Sequence, residues 1–410
     1  MKVGIVGAGA SGMMAAVTAA EYGASVILFE KNDRVGRKIL ATGNGKCNLG
    51  NLDFSMDKYY CDDKEKLQRM FSLFSVEDTI TFFKKNGMLV KNKNGYLYPY
   101  SEQASTVLDI FRKILDKQNI AIITESEITK ARYHQMHNCF TVESRAGNFK
   151  LDRLILSCGS TAGGKKKESF KGMQIAESFG HSAKRPVPGL VQLCSSDSFI
   201  KGMAGVRVQA GLKLFADDKL VSEEQGELQF TEYGISGIPV FQFSRVAGHM
   251  LLEGKRVFAK INLLPDYEER EFKEMISRRF DNMKDAALEE FLLGMVNKKI
   301  NTALMKHKGL KPQQPIGELG LDGLLKFMSD YQCLTVHIDS TNGMENAQVC
   351  AGGIDFSEVD ERLQSTKQKG LYLTGELLDI DGKCGGYNLQ WAWSSGYIAG
   401  RSAASKEDIK

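Results

Sequence analysis

The stretch that decides the fold is Met1–Lys31, MKVGIVGAGASGMMAAVTAAEYGASVILFEK. A short apolar run leads into glycines at 7, 9 and 12. An alanine-rich stretch follows, then a second apolar run that ends on Glu30. This order reads as strand, tight turn, helix and strand, the unit that holds a dinucleotide. Gly7 permits the turn, Gly9 lets backbone approach a pyrophosphate, and Gly12 lets the helix pack close to the strands. The helix N-terminus then presents its N–H groups and the positive end of its dipole to the phosphates. Glu30, 18 residues beyond Gly12, can accept hydrogen bonds from ribose hydroxyls. A carboxylate there suits FAD or NAD and disfavours NADP at this site.

Working outward, Gly36–Asn51 (GRKILATGNGKCNLGN) is too rich in glycine and asparagine for a regular element. It is expected as a long loop on the ligand side of the sheet. Lys64–Asn86 and Ser105–Gln118 are expected helices. GYLYPYSEQAS lies between them as a polar, aromatic turn, with Ser105 as the cap of the second helix. From Ile120 to Cys158 the alternation predicts a small antiparallel excursion that returns to a buried parallel strand, Leu154–Ser157. After Pro186 and Pro188 come β-type runs and then helical sequence over Glu268–Asn297 and Gly309–Asp330. The domains expected are 1–186 and 336–410 as one dinucleotide-binding domain, with 187–335 inserted as a substrate or cap domain. Near the C-terminus a strand at Gly370–Thr374, a glycine loop and a helix from Leu389 to Ser402 return the chain to the first domain.

Bulk properties narrow the function classes. A chain of 410 residues exceeds one ordinary core. A net charge of +4 is too mild to point to nucleic acid, which disfavours a flavin-using tRNA-modifying protein. The Lys165-Lys166-Lys167 cluster reads as solvated loop charge. No leader and no run long enough to span a bilayer is seen, so neither a membrane nor a secreted context is expected. Eight cysteines without C-x-x-C pairs, and six histidines without ligand spacing, argue against a metal site or redox dithiol and for a reducing cytoplasm. His134 and His137 are expected on an exposed hairpin.

Ligands of doubly wound sheets lie beyond the carboxyl ends of the strands. Three such ends carry glycine-rich sequence, at Gly7–Gly12, Cys158–Gly164 and Gly375–Gly386. Together with the Gly36–Asn51 loop they suit a flavin better than a nicotinamide alone. The Gly385-Gly386-Tyr387-Asn388 corner opens the last helix toward the charge that a reduced flavin carries near N1 and the C2 carbonyl, and Asn388 or Gln390 could add a donor. Trp391 and Trp393 read as core. Cys47 and Cys384 lie in loops near the ring, as space-fillers or reactive thiols. Tyr387, Thr231 and Tyr233 are weak candidates for a proton donor.

GAGASG with Glu30, GRKILATGNGKCNLGN, GYLYPYSEQAS, GELQFTEYGISG and TGELLDIDGKCGGYNLQWAWSSGYIAG together resemble the bacterial BaiN/YhiN-type, aminoacetone-oxidase-like family of NAD(P)/FAD-dependent oxidoreductases, over nearly the whole chain. The resemblance implies an α/β fold: a glutathione-reductase-like FAD-binding Rossmann domain interrupted by an insert with a small β-barrel and helices. It carries Arg37, Lys38, Thr42, Gly43, Asn44 and Asn48 over to a cofactor-wrapping loop. Gly375, Glu376 and Asp381 match a strand end at the ribityl and pyrophosphate groups, and Gly386, Tyr387 and Asn388 the flavin edge. Reading and resemblance together add Gly7, Gly9, Ala10, Ser11, Gly12, Glu30, Lys31, Cys47, Ile128, Cys158, Gly159 and Gly385 to the FAD-contacting set, with no metal. Lys46 stands where the family usually has Arg, and SCGSTAGGKKKESFKG is shorter and more basic than the usual loop. The expected activity is an FAD-dependent reductase of a small organic substrate that takes electrons transiently from NAD(P)H, since no second nicotinamide fingerprint is present. An amine oxidase passing electrons to oxygen, and a non-catalytic flavin-binding protein, are the alternatives.

Overall fold

The computed structural model describes residues 1–164 and 170–405; Lys165, Lys166 and Lys167 lie outside the described residues. The chain divides into two compact units, one of Met1–Pro186 with Gln348–Lys410, the other of Val187–Ala347.

The first unit is built on a five-stranded parallel sheet. Its order is Leu371–Leu373, Arg153–Leu156, Lys2–Val6, Ser25–Phe29, Ala121–Ile123. The strands read as short apolar runs, as strands covered on both faces must, and the edge strand Ala121–Ile123 is partly exposed. The register is level at the carboxyl ends. Val6 pairs with Phe29 and Leu156, Phe29 with Ile123, and Leu156 with Leu373. Gly7, Glu30, Ser157 and Thr374 therefore leave the sheet side by side.

The first helix, Ala10–Glu21, is crossed by the last, Tyr387–Ala404, through small residues. A Cβ on Gly396 would lie 2.3 Å from the Ser11 carbonyl oxygen, and one on Gly400 would lie 2.5 Å from that of Ala15. No larger residue fits at either crossing point, so this helix pair is close-packed backbone to backbone. Trp391 and Trp393 are buried at the base of the last helix. The antiparallel excursion forms as expected over Lys130–His134, Cys139–Ser144 and Gly147–Leu151, and His134 and His137 are exposed at its turn.

Several local expectations are corrected. Lys64–Asn86 is two helices, Lys64–Leu73 and Val76–Lys85, because Ser75 caps the second in a capping box with Asp78. GYLYPYSEQAS is no plain turn, since Tyr96–Pro99 is a strand between Gly50–Asn51 and Val90–Lys93. Ser105 lies inside the helix Ala104–Lys117, whose N-cap is Gln103. The last helix opens at Tyr387, two residues earlier than expected.

The second unit is a seven-stranded sheet with helices against it. Its order begins with Leu334–Ile338 and ends with Ser340–Thr341. Only Asp339 separates these two strands in the chain, so the sheet returns to its starting run and closes as a small barrel. The expected helical stretches are shorter, Glu269–Asn282, Leu288–Phe291 and Ile316–Met328, the last broken at Gly320, and a further helix, Lys298–His307, falls between the two expected runs. The second boundary falls at 347 rather than 335. Leu334–Ile338 pairs with Val257–Asn262, a partner far away in the chain that the run itself does not reveal.

Candidate functional site

The three fingerprint glycines do different work. Gly7 has φ +101° and donates its N–H to Phe29 O at 2.8 Å. A Cβ there would lie 2.5 Å from the Ser157 carbonyl oxygen, and one on Gly12 would lie 1.8 Å from that of Gly7. These two glycines let the turn and helix pack against the neighbouring strand. A Cβ on Gly9 would meet nothing within 4 Å. Gly9 caps the first helix without a side-chain hydrogen bond, so no cap side chain takes up the N–H groups of the first turn, Ala10, Ser11 and Gly12.

Glu30 is buried beside this turn. Its Oε2 accepts from Ala8 N–H at 3.0 Å, and its Oε1 accepts from Asn32 N–H at 2.9 Å. The carboxylate is thereby fixed in direction and keeps lone pairs for further donors. Ser126 N–H donates to Glu30 O at 2.9 Å, and Ile128, two residues on, is buried. Lys31 and Arg37 are exposed, and Arg37 reaches Asn32 at 3.4 Å.

The second part is the TGNGKCN loop. Thr42 Oγ1 donates to Ile39 O at 2.6 Å, and Cys47 N–H donates to Thr42 O at 3.0 Å. Asn44 and Cys47 both take left-handed φ. Cys47 is buried, and burial pushes its thiol up to about 12. Trp393 Nε1–H donates to Leu49 O at 3.0 Å and pins the loop to the last helix. Asn51 Nδ2 donates to Gly385 O at 3.1 Å. Gly386 has φ +96°, and a Cβ there would lie 2.7 Å from both Asn48 Oδ1 and Gly50 O. The TGNGKCN loop and the GGYN corner are therefore neighbours in one place.

The third part is the strand end at Gly375. Its N–H donates to Ser395 Oγ at 3.0 Å, its carbonyl accepts from Trp391 Nε1 at 3.0 Å, and a Cβ on it would lie 2.7 Å from Ser11 Oγ. Glu376 joins this end to the rest. Its Oε2 pairs with Lys38 at 2.7 Å, its Oε1 accepts from Cys350 N–H at 2.7 Å, and a Cβ on Gly159 would lie 3.8 Å from it. Cys158, next to Gly159, holds a thiol pushed up to about 12 by burial. Asp381 is buried on a strand paired with Tyr60.

Some expected donors are already engaged. Asn388 spans its own turn, accepting from Gly382 N–H at 2.8 Å and donating to Gly382 O at 2.7 Å. Gln390 Nε2 donates to Ser75 O at 3.2 Å and Ser394 Oγ at 3.0 Å. The Tyr387 hydroxyl donates to Asp53 O at 2.9 Å, and burial raises its pKa well above the usual phenol range. Thr231 and Tyr233 belong to the second unit; Thr231 Oγ1 donates to Gly234 O at 3.0 Å, and Tyr233 is exposed. Sequence reasoning missed Asn51, which ties the two loops together. On the neighbouring strand the alternation Tyr96-Leu97-Tyr98 puts both tyrosines on the face opposite the buried Leu97.

The residues present fit an FAD. Gly9 leaves a cradle that a Cβ would fill, at the mouth of an uncapped helix. At the other end, the last helix opens at Gly386 without a side-chain cap, and Asn48 Oδ1, beside it, is buried with no partner among the described residues. Comparison with known proteins agrees. A profile of the HI0933-like protein Rossmann domain matches residues 1–402. A 3-dehydro-bile acid delta(4,6)-reductase of Clostridium scindens is 38% identical over 99% of both chains. A ribosomal RNA dihydrouridine synthase of Haemophilus influenzae is 26% identical over 97% of both. Among solved structures, a 3-ketosteroid-delta4-(5alpha)-dehydrogenase from Rhodococcus jostii superposes with TM-score 0.50 at 13% identity, covering 98% of this chain and 96% of that one, a likeness of fold. With match and geometry in agreement, the chain belongs to the HI0933-like family and is an FAD-dependent oxidoreductase.

Proposed function

We propose that this protein reduces a carbon–carbon double bond conjugated to a carbonyl group in a small, largely apolar molecule, with electrons drawn from NAD(P)H. The observation that carries the reading is the meeting of Asn48 with Gly386 at the uncapped start of the last helix. The helix start there favours negative charge at a flavin edge, and the buried, unpartnered Asn48 Oδ1 would accept a hydrogen bond from a flavin N–H. The reductive direction is supported by the relative at 38% identity, named as a delta(4,6)-reductase. Forming dihydrouridine, the other named activity, likewise saturates a double bond next to a carbonyl.

When bound, FAD supplies two-electron hydride chemistry. The chain's own residues hold and shape the site. Backbone N–H groups at Ala10–Gly12 would take the pyrophosphate, and the Glu30 carboxylate would accept from ribose hydroxyls. The N–H groups of Tyr387 and Asn388 would face the flavin edge, where a helix terminus stabilises charge by about 0.3–2 kcal/mol. Cys47 and Tyr387, both buried, exclude water behind it. The protonated thiols of Cys47 and Cys158 offer no nucleophile.

Anaerobic mixing tests the proposal. NADH or NADPH should bleach the visible absorption band of the flavin, and a 3-oxo-4,6-diene steroid should restore it with one double bond saturated. Peroxide formed from a small amine in air, with no bleaching by either nicotinamide, would establish the oxidase instead.

A further inference from the structure

We infer that Tyr98 is the catalytic acid of this site, its phenol hydroxyl hydrogen-bonding the substrate carbonyl oxygen and protonating the enolate formed there. The inference rests on the enone-reductase reading above.

Tyr98 stands beside the TGNGKCN loop, and its strand neighbour Tyr96 stands beside the GGYN corner. Its ring edge, at Cε1, lies 3.7 Å from where a Cβ of Gly43 would be, within the TGNGKCN loop. Tyr96, two residues earlier on the same strand face, brings its own Cε1 within 3.3 Å of the corresponding point on Gly385. Strand pairing of Leu97 with Gly50 fixes both tyrosines in this register. Tyr98 is half-buried, and its hydroxyl makes no hydrogen bond to any described residue. Two other phenols near this corner are committed: Tyr59 donates to Tyr387 O at 3.1 Å and Tyr387 to Asp53 O at 2.9 Å.

The surroundings suit a donor. Partial burial, with Tyr96, Cys384 and Glu102 nearby, raises the phenol above its usual range, so it keeps its proton at neutral pH. The Lys46 ammonium acts in the opposite sense and would stabilise the phenolate left after transfer. That ammonium is held by Glu102 at 2.7 Å, which also binds Lys91 at 2.6 Å.

The step balances. A hydride equivalent originating in NAD(P)H adds to the β carbon, the π bond breaks, and its electron pair moves to the carbonyl oxygen. The Tyr98 O–H bond breaks, its proton passes to that oxygen, and tautomerisation delivers it to the α carbon. Tyr98 regains a proton from solvent, to which it is open. One hydride and one proton saturate one double bond.

The test compares Tyr98→Phe and Tyr96→Phe holoenzymes, reduced anaerobically with NADPH and mixed with a 3-oxo-4-ene steroid. Y98F should be reoxidised about 10²–10³-fold more slowly than wild type, with FAD content and rate of bleaching by NADPH unchanged. Y96F should match wild type. Wild-type reoxidation should fall as pH rises into the phenol range, and the Y98F profile should be flat there. The saturated 3-oxo product, titrated against the oxidised flavin spectrum, should bind Y98F roughly tenfold more weakly, as loss of one hydrogen bond predicts. Reoxidation of Y98F at the wild-type rate, or loss of FAD from Y98F, overturns the role. A wild-type enzyme that NADPH bleaches but no enone reoxidises overturns the reductase reading, and the role with it.

Discussion

Replacing Gly9 by Ala separates what the fold needs from what the cofactor needs. Gly9 has φ −80° and ψ −164°, extended backbone that alanine adopts freely, and the added methyl meets nothing within 4 Å. The only expected effect on the flavin-free protein is the poorer N-cap, about 0.5–1 kcal/mol. Gly12→Ala is the contrast, since its methyl would lie 1.8 Å from Gly7 O and 2.6 Å from Ser157 Oγ. The turn would have to move, at a cost of about 1–3 kcal/mol or more. With FAD present the order changes. The Gly9 methyl would occupy the cradle at the helix mouth and displace the pyrophosphate from the first-turn N–H groups. Hydrogen bonds to a charged group are worth about 1.5–3 kcal/mol each, so losing one to two of them weakens binding by about 3 kcal/mol, roughly a hundredfold. Titration of apoprotein with FAD, followed by quenching of flavin fluorescence, measures this directly. Thermal melts without FAD measure the fold. G9A should melt within a few degrees of wild type and bind FAD about 100-fold more weakly, whereas G12A should melt early even without FAD. Wild-type FAD affinity in G9A would refute the placement of the pyrophosphate.

Two further outcomes follow from the same structure. Iodoacetamide at neutral pH should label the exposed Cys333 and spare Cys47 and Cys158, whose thiols burial holds up to about 12; peptide mass spectrometry reads this, and labelling of Cys47 at the rate of Cys333 would contradict its buried position. His181 is buried, with Nδ1 3.1 Å from Glu358 Oε2 and Nε2 2.7 Å from Ser365 Oγ. Burial holds its imidazole below the ordinary 6.5, against the opposing pull of Glu358. The unfolded chain then takes up a proton that the folded one resists, so stability should fall as pH drops below about 6.5, with a slope of at most about 1.4 kcal/mol per unit. Urea denaturation from pH 5 to 7.5 should show that slope flattened in His181→Gln; an unchanged slope would remove His181 as its source.

What was legible in the sequence was local. The turn and helix of Met1–Lys31, and the strand that ends at the buried Glu30, are set by residues a few places apart. What was not legible depended on partners far along the chain. Tyr96–Pro99 looked like a turn because it is dense in aromatics and ends near polar residues; it is a strand because Gly50–Asn51 and Val90–Lys93 lie on either side. The expected boundary at 335 cuts through Leu334–Ile338, whose pairing with Val257–Asn262 puts the strand inside the inserted unit. Side-chain direction was equally hidden. Asn388 and Gln390 look like free donors in sequence, yet their amides are spent on Gly382, Ser75 and Ser394.

The glycines show that one residue type answers two different demands. Gly7, Gly12, Gly396 and Gly400 are each required because a Cβ would strike a carbonyl oxygen of this chain within 2.5 Å. They serve packing, and their demand is present whether or not a ligand is bound. Gly386 is constrained twice, by a left-handed backbone and by Asn48 and Gly50 at 2.7 Å. It sets where the last helix begins and hence where its N-terminal charge points. Gly9 alone among the three fingerprint glycines has no intramolecular reason to lack a side chain. Its requirement comes from something outside the chain that must come close to the backbone, so the case for the dinucleotide rests on the glycine the fold does not need.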